Sequence, residues 1–116
     1  MNIQDYVDEE VFSPKLISDA LFTTQSDIAN TLGLTRNALS HADRRGAEKT
    51  QTRLREMLEI LSRAEQFTGS PLASYAWFRS EPIIGFGGHN ASRLVREGRA
   101  DCVHAYFDHV QTGGYA

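Results

Sequence analysis

The chain has 116 residues, 41% of them apolar and 23% charged, and a net charge of −3. That length makes one compact domain, or two very small ones sharing a core. No apolar run approaches the roughly 18 residues of a membrane span, and the first twelve residues have neither the basic start nor the apolar stretch of a secretory signal. The single cysteine, Cys102, permits no internal disulfide, fits a reducing cytoplasm and reads as a small core residue. His41, His89, His104 and His109 are too scattered to share a metal, so neither metal nor cofactor is expected.

In chain order, residues 1–12 read as a loose acidic arm; with Lys15 and Asp19, residues 1–22 sum to −4. Ser13-Pro14 is an N-cap followed by proline at the first helical position, opening a helix to about residue 21. Thr24 caps the next helix, with Asp27 completing a Thr-x-x-Asp box, and Gly33 ends it. Thr35 opens a third helix that runs to about residue 45 and closes at Gly46. Over residues 48–67, Leu54, Met57, Leu58, Leu61 and Ala64 recur at spacings of three and four, leaving Arg53, Arg55, Glu59 and Arg63 outside. Gly69-Ser70-Pro71 stops that helix and starts one carrying Leu72, Tyr75, Ala76 and Phe78, which Pro82 ends. Asn90 caps a short helix finishing at Gly98, and Asp101 caps a last one with Val103, Phe107 and Val110 on one face. No run alternates with period two for long enough to make a strand, so the predicted fold is all-α.

Residues 25–44 carry the most specific pattern. Ala29 lies four before Gly33, and Ile28, Leu32, Leu34, Leu39 and Ala42 flank them. A helix-turn-helix needs this spacing: a small residue where two helices approach, a glycine for the left-handed turn and an apolar wedge between them. Residues 35–55 sum to +4, so the positive charge, Arg44 and Arg45 included, is centred where phosphates would lie. Thr35, Arg36, Asn37, Ser40 and His41 fall at the groove-facing start of the second helix. Arg36 suits guanine and Asn37 adenine, each discriminating by roughly 1–3 kcal/mol. Thr24, Gln25 and Thr35 suit phosphates. A single copy reads one half-site, which implies a two-fold dimer. The plainer alternative is that these side chains only cap helices and hold water.

The second half holds Trp77, Phe78, Phe86, Tyr106, Phe107 and Tyr115. Ile83, Ile84 and Phe86 sit in a glycine-rich loop, where such side chains either plug a core or present a binding face. The order Trp77, Pro82, Gly87-Gly88, Leu94-Val95, Gly98, Val103 and Gly114-Tyr115-Ala116 resembles the toxin-binding domain of the Xre/MbcA/ParS antitoxins, which partner RES-domain toxins. With an Xre-type helix-turn-helix upstream, the resemblance covers about residues 23–116. Beside the acidic arm (1–12) read from its charge, it implies a helix-turn-helix domain (13–68) and a toxin-binding domain (69–116). It also implies a cytoplasmic, non-membrane antitoxin that binds its own promoter. Its C-terminal domain would cover the NAD site of a toxin that consumes NAD or ADP-ribosylates a target. Carried onto this chain, the neutralising surface comprises Ile83, Ile84, Phe86 and His89 of the loop and Arg93, Arg96 and Arg99, spaced by three. The tail of Gly113, Gly114, Tyr115 and Ala116 completes it, with Tyr115 filling dinucleotide space. The family usually opens the helix after the glycine loop with Ser/Thr-Pro; here Asn90-Ala91 stands there, and Asn is an equally good cap. The alternative is a stand-alone helix-turn-helix regulator whose C-terminal half dimerises or senses a ligand. An enzyme is not expected: there is no Ser/His/Asp set or metal cluster, and 85–88 lacks the Lys and Ser/Thr of a phosphate loop.

Overall fold

A computed structural model describes residues 1–40 and 46–113, with the backbone alone at Arg36 and Ser40. A 3₁₀ turn (Ile3–Tyr6) leads into a short hairpin, β1 (Val7–Asp8) and β2 (Val11–Phe12). The helices described are α1 (Pro14–Ala20), α2 (Gln25–Leu32), α3 (Arg36–Ser40), α4 (Glu48–Thr68), α5 (Pro71–Ser80), α6 (Ala91–Arg96) and α7 (Ala100–Gln111). Four of their starts follow from local polar chemistry. Ser13, Thr24, Ser70 and Asn90 accept from the amides of Leu16, Asp27, Ala73 and Arg93, each satisfying an amide that the helix itself leaves unpaired. Proline opens α1 and α5, where its missing N–H costs nothing.

Gly33 ends α2 in the left-handed region at φ 66°. The Leu34 amide reaches back to Ala29 O at 2.8 Å and the Gly33 amide to Asn30 O at 3.3 Å, the paired bonds of a Schellman closure. Gly98 closes α6 the same way, with Arg99 N bonded to Leu94 O and Gly98 N to Val95 O.

Several expectations need correction. The acidic arm is docked: the Phe12 amide donates to Gln51 Oε1, Gln51 Nε2 donates to Phe12 O, and Ser62 Oγ donates to Met1 O. Met1, Ile3, Tyr6 and Phe12 pack on the core, so the apolar residues of this segment outweigh its charge. β1 and β2 pair antiparallel, Val7 opposite Phe12 and Asp8 opposite Val11. Both residues of the connecting turn, Glu9 (φ 50°) and Glu10 (φ 68°), are left-handed, as a type I′ hairpin requires. The chain is therefore mostly helical, with one small sheet. α7 begins at Ala100 with no side-chain cap, which puts Asp101 inside its first turn.

α4 is the centre of the core. Leu54, Met57, Leu58, Ile60, Leu61 and Ala64 are fully buried, and one apolar cluster joins residues of α1–α4 to Tyr75, Phe78, Ile83, Leu94, Val95, Val103 and Phe107. α5 buries Ser74, Tyr75 and Phe78, which leaves Leu72 and Ala76 exposed. Val110 is also largely exposed, and Cys102 is half-buried at the edge of the core. Of the charged residues expected on the outer face of α4, two turn back onto the protein. Arg53 is half-buried against α2 and α6, and Arg63 bonds His104 Nδ1 and Asp108 while lying over the Phe107 ring.

Candidate functional site

α2, the Gly33 turn and α3 form the first candidate surface. Ile28, Ala29, Leu32, Leu34 and Leu39 all point into the core, so the apolar wedge is spent on packing. Thr24, Thr35 and Asn37 are exposed and Gln25 is half-buried. The Thr24 hydroxyl oxygen accepts the capping bond from the Asp27 amide, which leaves its proton to donate. His41, Ala42, Arg44 and Arg45 lie outside the described residues, as do the side chains of Arg36 and Ser40.

The basic stretch after the turn divides. Arg55 is exposed beside Glu59 at 3.3 Å. Arg53 instead donates to Leu32 O (2.9 Å) and Gly33 O (3.1 Å) at the end of α2 and to Arg96 O (3.1 Å) at the end of α6, satisfying carbonyls that the two helix ends leave unpaired.

A polar network fastens α2 to α5 and α6. Asp27, expected to complete a capping box, directs its carboxylate elsewhere. Oδ2 accepts from Thr23 Oγ1 (2.8 Å) and Tyr75 OH (2.9 Å), and Oδ1 accepts from Arg79 Nη2 (2.9 Å). Tyr75 OH also lies 3.0 Å from Thr31 Oγ1, and Ser92 Oγ donates to Thr31 O. Burial pushes the Tyr75 phenol up to about 12, and the bonded Asp27 carboxylate pushes in the same direction. The Arg79 guanidinium covers the Tyr75 ring at 5.0 Å. Sequence reasoning missed this network, although polar Thr31 on an otherwise apolar helix face was a signal for it.

The second candidate surface is the loop between α5 and α6. A bridge between Pro82 and Asn90 closes its base, and the Ile83 amide donates to His89 O. Asn90 Nδ2 donates to Arg79 O at 2.7 Å. Gly85, Gly87 and Gly88 are all left-handed, which lets the chain double back within so few residues. The two isoleucines part company: Ile83 is 2% exposed and belongs to the core, whereas Ile84 is 61% exposed. Phe86 and His89 are half-buried, and Arg99 lies 5.9 Å over the Phe86 ring.

Arg93, Arg96 and Arg99 do not make one free row. Arg93 (3.2 Å) and Arg99 (3.7 Å) flank Glu97, and the Arg93 bond leads the influences that hold this carboxyl low. Arg96 lays its stem along Gly33; a Cβ there would meet its Cγ and Cδ at 3.0 Å. Gly113 follows α7 at φ 81°, and Gly114, Tyr115 and Ala116 lie outside the described residues. Among the described residues, no three His, Cys, Asp or Glu side chains gather as a metal site, and no helix is long and apolar enough to cross a membrane. No protein-family model matches this chain, and neither a curated protein nor a solved structure matches it.

Proposed function

We propose that this chain is the antitoxin of a toxin–antitoxin pair, neutralising a RES-type toxin with residues 69–116 and repressing its own promoter with residues 13–68. The observation that carries the reading is the loop between α5 and α6. It is pinned at its base by the Pro82–Asn90 bridge, yet it leaves Ile84 61% exposed beside the arginine-bearing α6. A single aliphatic side chain on a rigid loop is a low-entropy anchor for a partner's pocket. The left-handed Gly33 turn, with its buried wedge between α2 and α3, supports the DNA-binding half of the reading.

On this reading Ile84 and the tail residues Gly113 to Ala116 meet the toxin, and Arg36 and Asn37 meet base edges. Ile83 only supports the loop from beneath. Co-expression with a RES-type toxin encoded beside this chain tests the first half. The full chain restores growth and co-purifies with the toxin, while Ile84→Asp, or a chain ending at Thr112, folds but loses rescue. Full rescue by both variants, or no complex with the intact chain, overturns the antitoxin assignment. Arg36→Ala tests the second half in a gel shift on the chain's own promoter; unchanged affinity removes the recognition-helix assignment.

A stand-alone regulator with a ligand-sensing C-terminal half is the second reading. It is favoured by a mostly apolar cleft of about 320 Å³ between α4 and α7, lined by Phe67, Tyr106, Phe107 and Val110 together with Arg63, Gln66 and Gln111. Promoter binding with no toxin rescue would select it.

A further inference from the structure

A different cleft, of about 200 Å³, opens where the last turn of α2 meets the end of α5 and the start of α6. Its lining is entirely polar or charged: Asn30, Thr31, Arg79, Asn90, Ser92 and Arg96. The two hydroxyls are already committed, Thr31 Oγ1 to Asp27 O and Tyr75, and Ser92 Oγ to Thr31 O. The nitrogen donors are not. Among the described residues, the Arg96 guanidinium and the Asn30 amide have no hydrogen-bond or ion-pair partner, and Asn90 Nδ2 uses one proton on Arg79 O. Arg79 spends Nη2 on Asp27, which leaves the rest of its fork available.

The Arg79 guanidinium and the stem of Arg96 are held in place before any ligand arrives. Arg79 is fixed by the Asp27 carboxylate and the Tyr75 ring. The Arg96 stem lies along Gly33, and its carbonyl accepts from Arg53. Two cations from different helices thus face one cleft. Among the described residues, the carboxylate in the network beside it is that of Asp27, which is shared among Arg79, Tyr75 and Thr23.

We propose that this cleft binds a phosphate-type oxyanion, with Arg79 of α5 and Arg96 of α6 donating to it and Asn30 and Asn90 supplying the neutral donors. A tetrahedral oxyanion offers acceptor oxygens in several directions at once, which suits donors converging from three helices; a planar carboxylate would reach fewer of them. At roughly 30 Å³ per water molecule, the cleft has room for such a group and its remaining hydration. The phosphate can belong to a free phosphate ester or to a nucleic-acid backbone, since the donors read only the oxyanion.

The test is a titration of the ¹⁵N-labelled full chain with inorganic phosphate at constant pH and ionic strength. Saturable shifts are expected at the Asn30 and Asn90 side-chain amides and at the Arg79 and Arg96 Nε–H groups. Arg96→Gln keeps the stem on Gly33 and removes the charge; it should weaken affinity at least tenfold. Asn30→Asp, on the exposed rim, should abolish saturation by placing a like charge beside the ligand. Both variants are checked for wild-type melting, and Arg96→Gln alone carries the test if Asn30→Asp melts early. Linear, non-saturating shifts in the wild type, or wild-type affinity in the variants, overturn the proposal. A competition arm with duplex DNA separates the sources. Loss of the phosphate-dependent shifts assigns the site to a nucleic-acid backbone, and their persistence assigns it to a free phosphate ester.

Discussion

Arg53 and Arg55 stand two residues apart on the same helix with the same formal charge, yet truncating them should have very different consequences. Arg53→Ala removes three guanidinium bonds to main-chain carbonyls, at Leu32, Gly33 and Arg96, and with them a cation at the C-terminus of α2. A buried bond to a charged group contributes about 1.5–3 kcal/mol, and a cation at an exposed helix end about 0.3–1 kcal/mol. Arg53 is half-buried and water can replace part of what is lost, so the expected cost is about 2–4 kcal/mol. At about 4 °C per kcal/mol for a chain of this size, the melting temperature falls by roughly 8–16 °C. Arg55→Ala loses only an exposed pair with Glu59 along the helix, which contributes about 0.3–0.5 kcal/mol. Urea denaturation of the two variants beside the wild type measures the difference directly. Arg53→Lys should recover only part of the loss, because a single ammonium nitrogen replaces the two guanidinium nitrogens that separately reach the ends of α2 and α6. If Arg53→Ala destabilised no more than Arg55→Ala, the role given to Arg53 as the tie between the turn and α6 would be wrong.

Two further outcomes follow from the same region. Gly33→Ala and Gly69→Ala both force alanine into left-handed backbone, about 1–2 kcal/mol each. At Gly33 the new Cβ also meets the Arg96 stem, whereas at Gly69 it meets open space. The Gly33 variant should therefore be the less stable by roughly 1 kcal/mol or more, and equal melting would show that Arg96 does not rest on the turn. Tyr75 gives a pH signature. Its folded phenol titrates near 12, against 10.0 for an ordinary tyrosine, so above pH 10 the unfolded chain releases a proton that the folded chain retains. Stability should fall as pH rises from 10.0 towards about 12, and Tyr75→Phe should lose that part of the decline while costing roughly 1 kcal/mol at neutral pH. Identical alkaline profiles for the two proteins would argue that the phenol is not held in the Asp27 network.

The local grammar of this fold is legible because each signal is complete within a few residues. Ser13, Thr24, Ser70 and Asn90 cap helices through amides three positions on, and Gly33 supplies a conformation that side chains resist. The central face of α4 is equally plain, since its period of three and four survives any neighbour. The hairpin was not legible, because Glu9-Glu10 is poor turn chemistry and what holds it is distant in sequence: the docking of Phe12 on Gln51 and the packing of Met1, Ile3 and Tyr6 on the core. Nor was the division of labour among like residues. Composition alone could not tell Arg53 from Arg55, Ile83 from Ile84, or a capping role for Asp27 from its bonds to Tyr75 and Arg79. Those differences depend on partners 20 to 52 positions away in the chain. A cap or a left-handed glycine is decided by the backbone next to it, but the fate of a long polar side chain is decided by which helix folds against it.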